Sequence, residues 1–391
     1  MTKIYLIRHA EAEGNLYRRI HGRYDSLVTE NGKRQIEALS KRFEGEHIDA
    51  VYVSPLLRTH ITAAAICTSR GLTPKIDADL TEADLGQWED RTFGDVEWED
   101  RELLSVFNLN PAEWSVEGSE RLEDMPRRMA GALTRIGEEN DGKTVAVFTH
   151  GLVKRAFLCS IMGIPLAEIS SVKHSDNTAV TLLHYDGGQF EIQYINDVSH
   201  MPDELSTFSR QQWWRNKSGL DRGNLRFFPM DLDTKGKEYL NLRRDTWMIS
   251  MGSLEGFPGK ELLENAKRLS KENPGYVMEA LQGGNTAGII EIDPEIDQEE
   301  NAGYINFYYV DEKYRGGGYS VQLLGYAVSF YRGMGRTKLR LRAESGNERA
   351  VRFYEKHGFT VVGEEVTALG RYVIMERSIE VKKRVSPEQG G

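Results

Sequence analysis

Cysteine is almost missing from the 391 residues; only Cys67 and Cys159 occur. Two thiols make neither a disulfide framework nor a structural zinc site. A chain of this size without cross-links fits a reducing compartment, and a cytoplasmic protein is expected. Long apolar runs are missing too. No stretch reaches bilayer-spanning length, and the opening MTKIYLIRHA lacks the features of a secretory leader, so no membrane partner is expected. Nor is there a surplus of positive charge. Fifty Lys and Arg face 60 Asp and Glu, a net charge of -10, which argues against nucleic acid as a partner held by bulk electrostatics. Internal repeats and long low-complexity segments are also absent.

What is present is an ordinary globular composition, long enough for two or three domains. The first half alternates strand and helix signals. Ile4 to Ile7 reads as a short buried strand, and Glu30 to Phe43 has helical apolar spacing at Ile36, Leu39 and Phe43. Ala50 to Val53 is a second strand, followed by a helix through Ile66. Met125 to Gly137 is amphipathic, and Thr144 to Phe148 is a third strand leading into a helix at Gly151. This alternation predicts a mostly parallel sheet with helices on both faces. Thr178 to His184 and Phe190 to Ile195 flank Asp186-Gly187-Gly188, the pattern of an edge hairpin. The expected organisation is a domain over 1–200, a connector over 201–222 packing partly through Trp213 and Trp214, a second domain over 223–380, and a disordered tail over 381–391.

Three predicted strand ends carry chemistry. Arg8 and His9 follow the first strand, Arg58 the second (SPLLRTHITA), and His150 the third (VFTHG). In open parallel sheets ligands sit beyond the carboxyl ends of the strands. Two arginines and two histidines meeting there repel one another unless an anion is present, and guanidinium forks match phosphate oxygens.

This set resembles the histidine phosphatase superfamily over about residues 1–200. Arg8-His9-Ala10 stands at the Arg-His-Gly motif, with alanine in place of glycine. Ser54-Pro55-Leu56-Leu57-Arg58, Thr149-His150-Gly151 and Glu82 in LTEADLGQWED match the other signatures. The resemblance implies a three-layer, phosphoglycerate-mutase-like α/β domain. His9 is then the nucleophile that becomes phosphohistidine, with Arg8, Arg58 and His150 holding the phosphoryl oxygens. Glu82 serves as acid and then base. Asn15 and Arg23 border the phosphate pocket. No metal or cofactor is expected there, since the arginines supply the charge; the substrate is a small phosphoester. The charged stretch WEDRTFGDVEWEDRE and the moderate distance from Glu82 to Thr144 favour hydrolysis over mutase transfer, which stays open. Arg18 and His21 read equally well as a solvated basic loop. His47, His60, His174 and His184 match nothing and read as surface or packed histidines; His200 is assigned no chemistry.

From Leu225 the pattern changes to a strand, two helices, a hairpin at Gly283-Gly284-Asn285, and further strands and helices. YVDEKYRGGGYSVQLL places three glycines between a strand and a helix, where backbone N–H groups can cradle a pyrophosphate. Farther on, in ESGNERAVRFYEKHGF, Asn347 can cap a helix and Gly358 can end it. These stretches resemble the GNAT-type N-acetyltransferases over about residues 223–380, which implies an α/β domain with a mixed sheet. Acetyl-CoA is the implied cofactor, lying along Val310 with its pyrophosphate on Arg315, Gly316, Gly317, Gly318, Tyr319 and Ser320, with Asn347 nearby. The resemblance makes Tyr354 the group that protonates the leaving thiolate and a small-molecule or peptide amine the acceptor. The strand GYINFYYV carries no carboxylate to act as base; Tyr304, a water or Glu291 are the alternatives. The reading is therefore a bifunctional enzyme, a phosphatase fused to an acetyltransferase. A phosphatase with a non-catalytic acetyl-CoA-sensing domain is the rival. The sequence leaves the oligomeric state open.

Overall fold

The computed structural model describes residues 1–211, 223–367 and 370–381. Trp213, Trp214 and most of the expected tail lie outside the described residues. The chain divides into two compact units, the second comprising Arg222–Val381 together with Thr92–Asp95.

The first unit runs β1 (Thr2–Arg8), α1 (Glu13–Tyr17), α2 (Glu30–Arg42), β2 (Ala50–Val53), α3 (Leu57–Arg70), β3 (Lys75–Ile76), α4 (Phe93–Glu99), α5 (Arg101–Leu109) and α6 (Met125–Glu139). It continues with β4 (Thr144–Thr149), α7 (Gly151–Ile161), β5 (Val180–Asp186), β6 (Gln189–Asp197) and α8 (Thr207–Arg210). The six-stranded sheet has the order β3-β2-β4-β1-β5-β6. Its first four strands are parallel, and β5 and β6 add an antiparallel edge. Tyr5 and Ile7 of β1 pack with Leu39 and Phe43 of α2 and with Ala63 and Ile66 of α3. The alternate residues Ile4 and Leu6 are equally buried. A strand covered on both faces has no polar side to show, which is why β1 and β4 read as unbroken apolar runs. The phosphoglycerate-mutase-like fold expected from the sequence is the one observed. The two-residue β3 and the helices α4 and α5 were not anticipated.

The second unit runs β7 (Arg226–Pro229), α9 (Gly236–Met251), α10 (Gly259–Glu272), β8 (Val277–Gln282), β9 (Asn285–Ile292) and β10 (Ala302–Val310). It ends with α11 (Ser320–Gly333), β11 (Lys338–Glu344), α12 (Glu348–Lys356), β12 (Thr360–Thr367) and β13 (Gly370–Ser378). Its seven-stranded sheet is mixed, β12-β13-β11-β10-β9-β8-β7, with β10 and β11 parallel. The hairpin between β8 and β9 turns on Gly283 and Gly284, with φ of 58° and 87°, the left-handed pair that a two-residue hairpin requires. β10 pairs with β11 only from Ala302 to Ile305; beyond that β10 continues against β9, and β11 against β13. The sheet therefore opens between Asn306–Val310 and the end of β11. No helix among the described residues is long and apolar enough to cross a membrane.

Candidate functional site

Strand register assembles the first site. Arg8 lies opposite Thr149, and Val53 opposite Phe148, so the residues just after β1, β2 and β4 fall side by side. The His9 amide then donates to the Thr149 carbonyl at 3.0 Å, and the Ser54 amide to Phe148 at 3.2 Å. The His9 and His150 rings stand 5.2 Å apart, and the Ser54 hydroxyl is 2.7 Å from His150 Nε2.

Burial and charge set the protonation of this cluster. Burial, reinforced by Arg58, Arg8 and His21, holds the His9 imidazole well below its usual value. His150 is held down by burial and then by Arg58 and His9. Both rings are neutral at physiological pH. The His9 ring nitrogen Nδ1 donates to the Ala10 carbonyl at 2.7 Å, because a carbonyl can only accept; Nε2 keeps the lone pair. Two further bonds fix the His9 carbonyl, from Asn177 Nδ2 at 2.9 Å and from the Thr178 amide at 3.3 Å.

Arg58 is fully buried and spreads its Nη atoms over the carbonyls of His21, Gly22 and Tyr24 at 2.8 to 3.2 Å. Burial lowers it to about 10. Arg8 donates to the Ser175 carbonyl, with the Phe208 ring 6.0 Å away. The buried Nε of each arginine, together with His150 Nδ1, has no partner among the described residues. Buried donors left unmet are costly, and a tetrahedral anion would satisfy them.

Glu82 accepts the amides of Ala83 and Val153 on Oε1, at 3.0 and 2.9 Å, and of Leu152 on Oε2 at 2.9 Å. It thus caps the helix that His150 opens, where the exposed N–H groups favour a carboxylate. Its charge also reaches Arg8 and Arg58. Arg128 clamps the Glu82 loop through the carbonyls of Asp79 and Thr81 at 2.8 and 2.6 Å. Glu120 joins Arg128 to Arg23 at 2.9 and 3.0 Å. Arg23 is thereby paired, its Nε on the Glu82 carbonyl at 3.2 Å. Asn15 spends its Oδ1 on the Ala12 amide at 3.1 Å, capping α1.

Sequence reasoning passed over several members. His21, for which a solvated loop reads equally well from the sequence, sits edge-on to His9 at 5.9 Å, and burial holds it well below its usual value. Lys154 and Arg155 are buried in α7; Arg155 donates to the Val172 carbonyl at 2.7 Å and stands 3.1 Å from His174. Two cations in the apolar stretch GLVKRAFLC were a readable signal, since unpaired charges avoid such positions. Asn177 and Thr178 had no comparable signal.

In the second unit, Gly316 and Gly318 have φ of 83° and 79°, and nothing crowds the place of a Cβ at either. The Gly316, Gly317 and Gly318 amides have no acceptor among the described residues, and α11 begins at Ser320. Free N–H groups at a helix start fit a pyrophosphate, and the opening beside Asn306–Val310 fits an extended pantetheine-like arm. Arg315 turns its Nε back to the Val310 carbonyl at 2.8 Å. Asn347 caps α12 by accepting the Ala350 amide at 3.1 Å. Tyr354 is buried beside Tyr308, Phe353 and Phe359, and burial pushes its hydroxyl up. Glu291 is fully buried, accepting Tyr239 at 2.6 Å, Arg243 at 2.9 Å, and Asn306.

A parallel sheet edge carrying a neutral imidazole among unmet guanidinium donors defines a phosphoryl-handling α/β enzyme. Comparison with known proteins makes that specific. The histidine phosphatase superfamily (branch 1) matches residues 4–198, and the acetyltransferase (GNAT) family matches residues 237–359. Phosphoserine phosphatase 1 of Hydrogenobacter thermophilus is 29% identical over 201 residues, 51% of this chain and 95% of that protein. Phosphoglycerate mutase-like protein 4 of Arabidopsis thaliana is 30% identical over 206 residues, 52% of this chain and 88% of that protein. The solved structure of Bacillus stearothermophilus YhfR is 32% identical with a TM-score of 0.50, covering 51% of this chain and 99% of that one. The chain belongs to the histidine phosphatase superfamily through its first half and carries a GNAT acetyltransferase domain in its second.

Proposed function

We propose that the first domain hydrolyses small phosphomonoesters through a phosphohistidine on His9 Nε2. The observation that carries this is the His9 tautomer: Nδ1–H is spent on Ala10, and Nε2 is left as the lone pair beside Arg8, Arg58 and His150. Nε2 attacks phosphorus, the N–P bond forms, and the P–O bond to the alcohol breaks. Arg8 Nε, Arg58 Nε and, with Ser54 donating to its Nε2, His150 Nδ1–H hold the phosphoryl oxygens as charge redistributes. Glu82 gives a proton to the leaving alkoxide and takes one from the water that cleaves N–P. The relationship to a phosphoserine phosphatase favours hydrolysis of a compact, anionic metabolite over mutase transfer.

The second domain, in this reading, transfers acetyl groups from acetyl-CoA to an amine. Gly316 to Ser320 would hold the pyrophosphate, the cofactor supplies the activated acyl group when bound, and Tyr354 provides the proton for the departing thiolate. One observation favours the sensor alternative: Glu291, the carboxylate considered as a base, is already committed to Arg243, Tyr239 and Asn306. Phosphate release from a panel of phosphomonoesters, and acetyl-CoA consumption with a panel of amines, test the two halves separately. Phosphate release that survives replacement of His9 sinks the first. Acetyl-CoA binding without turnover on any amine replaces the second with the sensor.

A further inference from the structure

A cavity of about 600 Å³ lies in the first unit between α2 and the chain that follows β6. Arg34, Glu37, Lys41 and Arg42 line it from α2, and His200 and Leu205 from the other side. The chemistry proposed for His9 uses none of them. Arg34 and Lys41 are seven residues apart, two helical turns on one face. Both are exposed, and neither closes an ion pair with Glu37 or any other described residue. Exposed cations alone would be a solvated helix face. The back of the cavity is different.

There Arg42 is tied to Asp197 and Tyr194, and its Nη1 also stands 3.3 Å from His200 Nδ1. A guanidinium only donates, so Nδ1 accepts and the ring proton is on Nε2. Nε2 in turn donates to the Thr178 hydroxyl at 3.1 Å. Thr178 is β-branched yet has a φ of 58°, a left-handed conformation that such residues hold only when their surroundings enforce it. Its amide is one of the two donors on the His9 carbonyl. A continuous chain of hydrogen bonds thus runs from the cavity wall, through a strained residue, to the backbone of the nucleophile.

We propose that this cavity is a second anion site, taking a small organic dianion (a dicarboxylate or a phosphate ester) on Arg34 and Lys41, and that its occupancy slows the first domain through Arg42, His200 and Thr178. An anion drawing the Arg42 guanidinium removes the donor that sets the His200 tautomer. His200 then releases Thr178, and the His9 carbonyl loses a fixed donor. The coupling rests on the phosphatase reading; the binding does not.

The test is calorimetric titration of the full chain with succinate and with inorganic phosphate, alongside p-nitrophenyl phosphate hydrolysis. Succinate binds one site in the native protein, and the variant carrying Arg34→Glu and Lys41→Glu loses at least about tenfold in affinity. Phosphate fills two sites in the native protein and one in that variant. The variant's hydrolysis without added anion is unchanged, since both positions are exposed helix surface. Succinate lowers kcat about fivefold in the native protein, and His200→Ala binds succinate but no longer responds in kcat. Absence of any site beyond the catalytic one, or equal binding by the double variant, overturns the site. Binding without a change in kcat overturns the coupling. A native protein that hydrolyses no phosphoester fails the phosphatase reading instead, and calorimetry still decides the site.

Discussion

His9 donates its Nδ1–H to the carbonyl of Ala10, its own chain neighbour, at 2.7 Å. An acceptor supplied by the adjoining backbone fixes ring orientation and tautomer together, without a separate carboxylate. The consequence is strict dependence on that ring. His9→Gln keeps a side chain of comparable reach but no imidazole nucleophile, and should lower hydrolysis by about 10⁴-fold or more. Acetyl-CoA turnover, measured on the same preparation, should not change. Equal loss of both activities would point to a folding defect.

Acid should weaken the first domain earlier than carboxylate titration alone would. His9, His21 and His150 are held well below 6.5, His174 is lowered to about 3, chiefly by burial and Arg155, and His200 to about 4, by burial and Arg42. Above about pH 6.5 these rings are neutral folded and unfolded, and contribute no slope. Below it the unfolded chain takes up protons that the folded chain refuses, so stability falls by about 1.4 kcal/mol per pH unit for each such ring. Burial pushes Glu89 up, which opposes this trend only in the carboxylate range. Urea unfolding of the first domain at several pH values from about 7.5 to 5 reads the slope. A flat profile contradicts the buried neutral cluster.

Glu120 holds the Glu82 loop by accepting the Asp84 amide at 3.2 Å and by pairing with Arg128 and Arg23. Glu120→Ala leaves Arg128, mostly buried, short of its carboxylate, and should cost about 1–3 kcal/mol of stability. If Glu82 acts as acid and base, kcat should fall about 10- to 100-fold with little change in KM. Glu120→Gln, which still accepts a hydrogen bond, should restore part of kcat. A purely structural role would lower stability and leave the kcat of the folded fraction intact.

The Tyr354 hydroxyl makes no hydrogen bond to a described residue, and its ring is held by Tyr308, Phe353 and Phe359. Tyr354→Phe therefore keeps the packing and removes only the proton. Acetyl transfer should fall about 10- to 100-fold with a nearly unchanged melting temperature. Full activity in this variant would assign the proton to another group.

The parts of this protein legible in the sequence are those that local chemistry dictates. The doubly covered strands β1 and β4, the Gly283-Gly284 turn, the Asn347 cap and the strand-end residues Arg8, His9 and His150 each carry their signal within a few residues. What was not legible depends on distant partners. Arg23 pairs with Glu120, 97 residues away, and nothing near it in the sequence announces that partner. For His21 the sequence leaves a solvated loop equally open, because its close packing on Gly14, where a Cβ would fall 2.2 Å from the ring, has no signal of its own. Thr178 takes its positive φ at the third position of a turn closed by the Ala179 amide on the Asp176 carbonyl at 3.2 Å, a place where glycine or asparagine is the usual signal.

The most direct test is to quench the protein during turnover of a phosphomonoester and locate the phosphoryl group by mass spectrometry and phosphorus NMR. The account predicts one acid-labile phosphoryl group, on His9 and bonded through Nε2. A phosphoryl group on any other residue, attachment through Nδ1, or rapid turnover with no trapped phosphoenzyme under conditions where N–P cleavage is rate-limiting would contradict it.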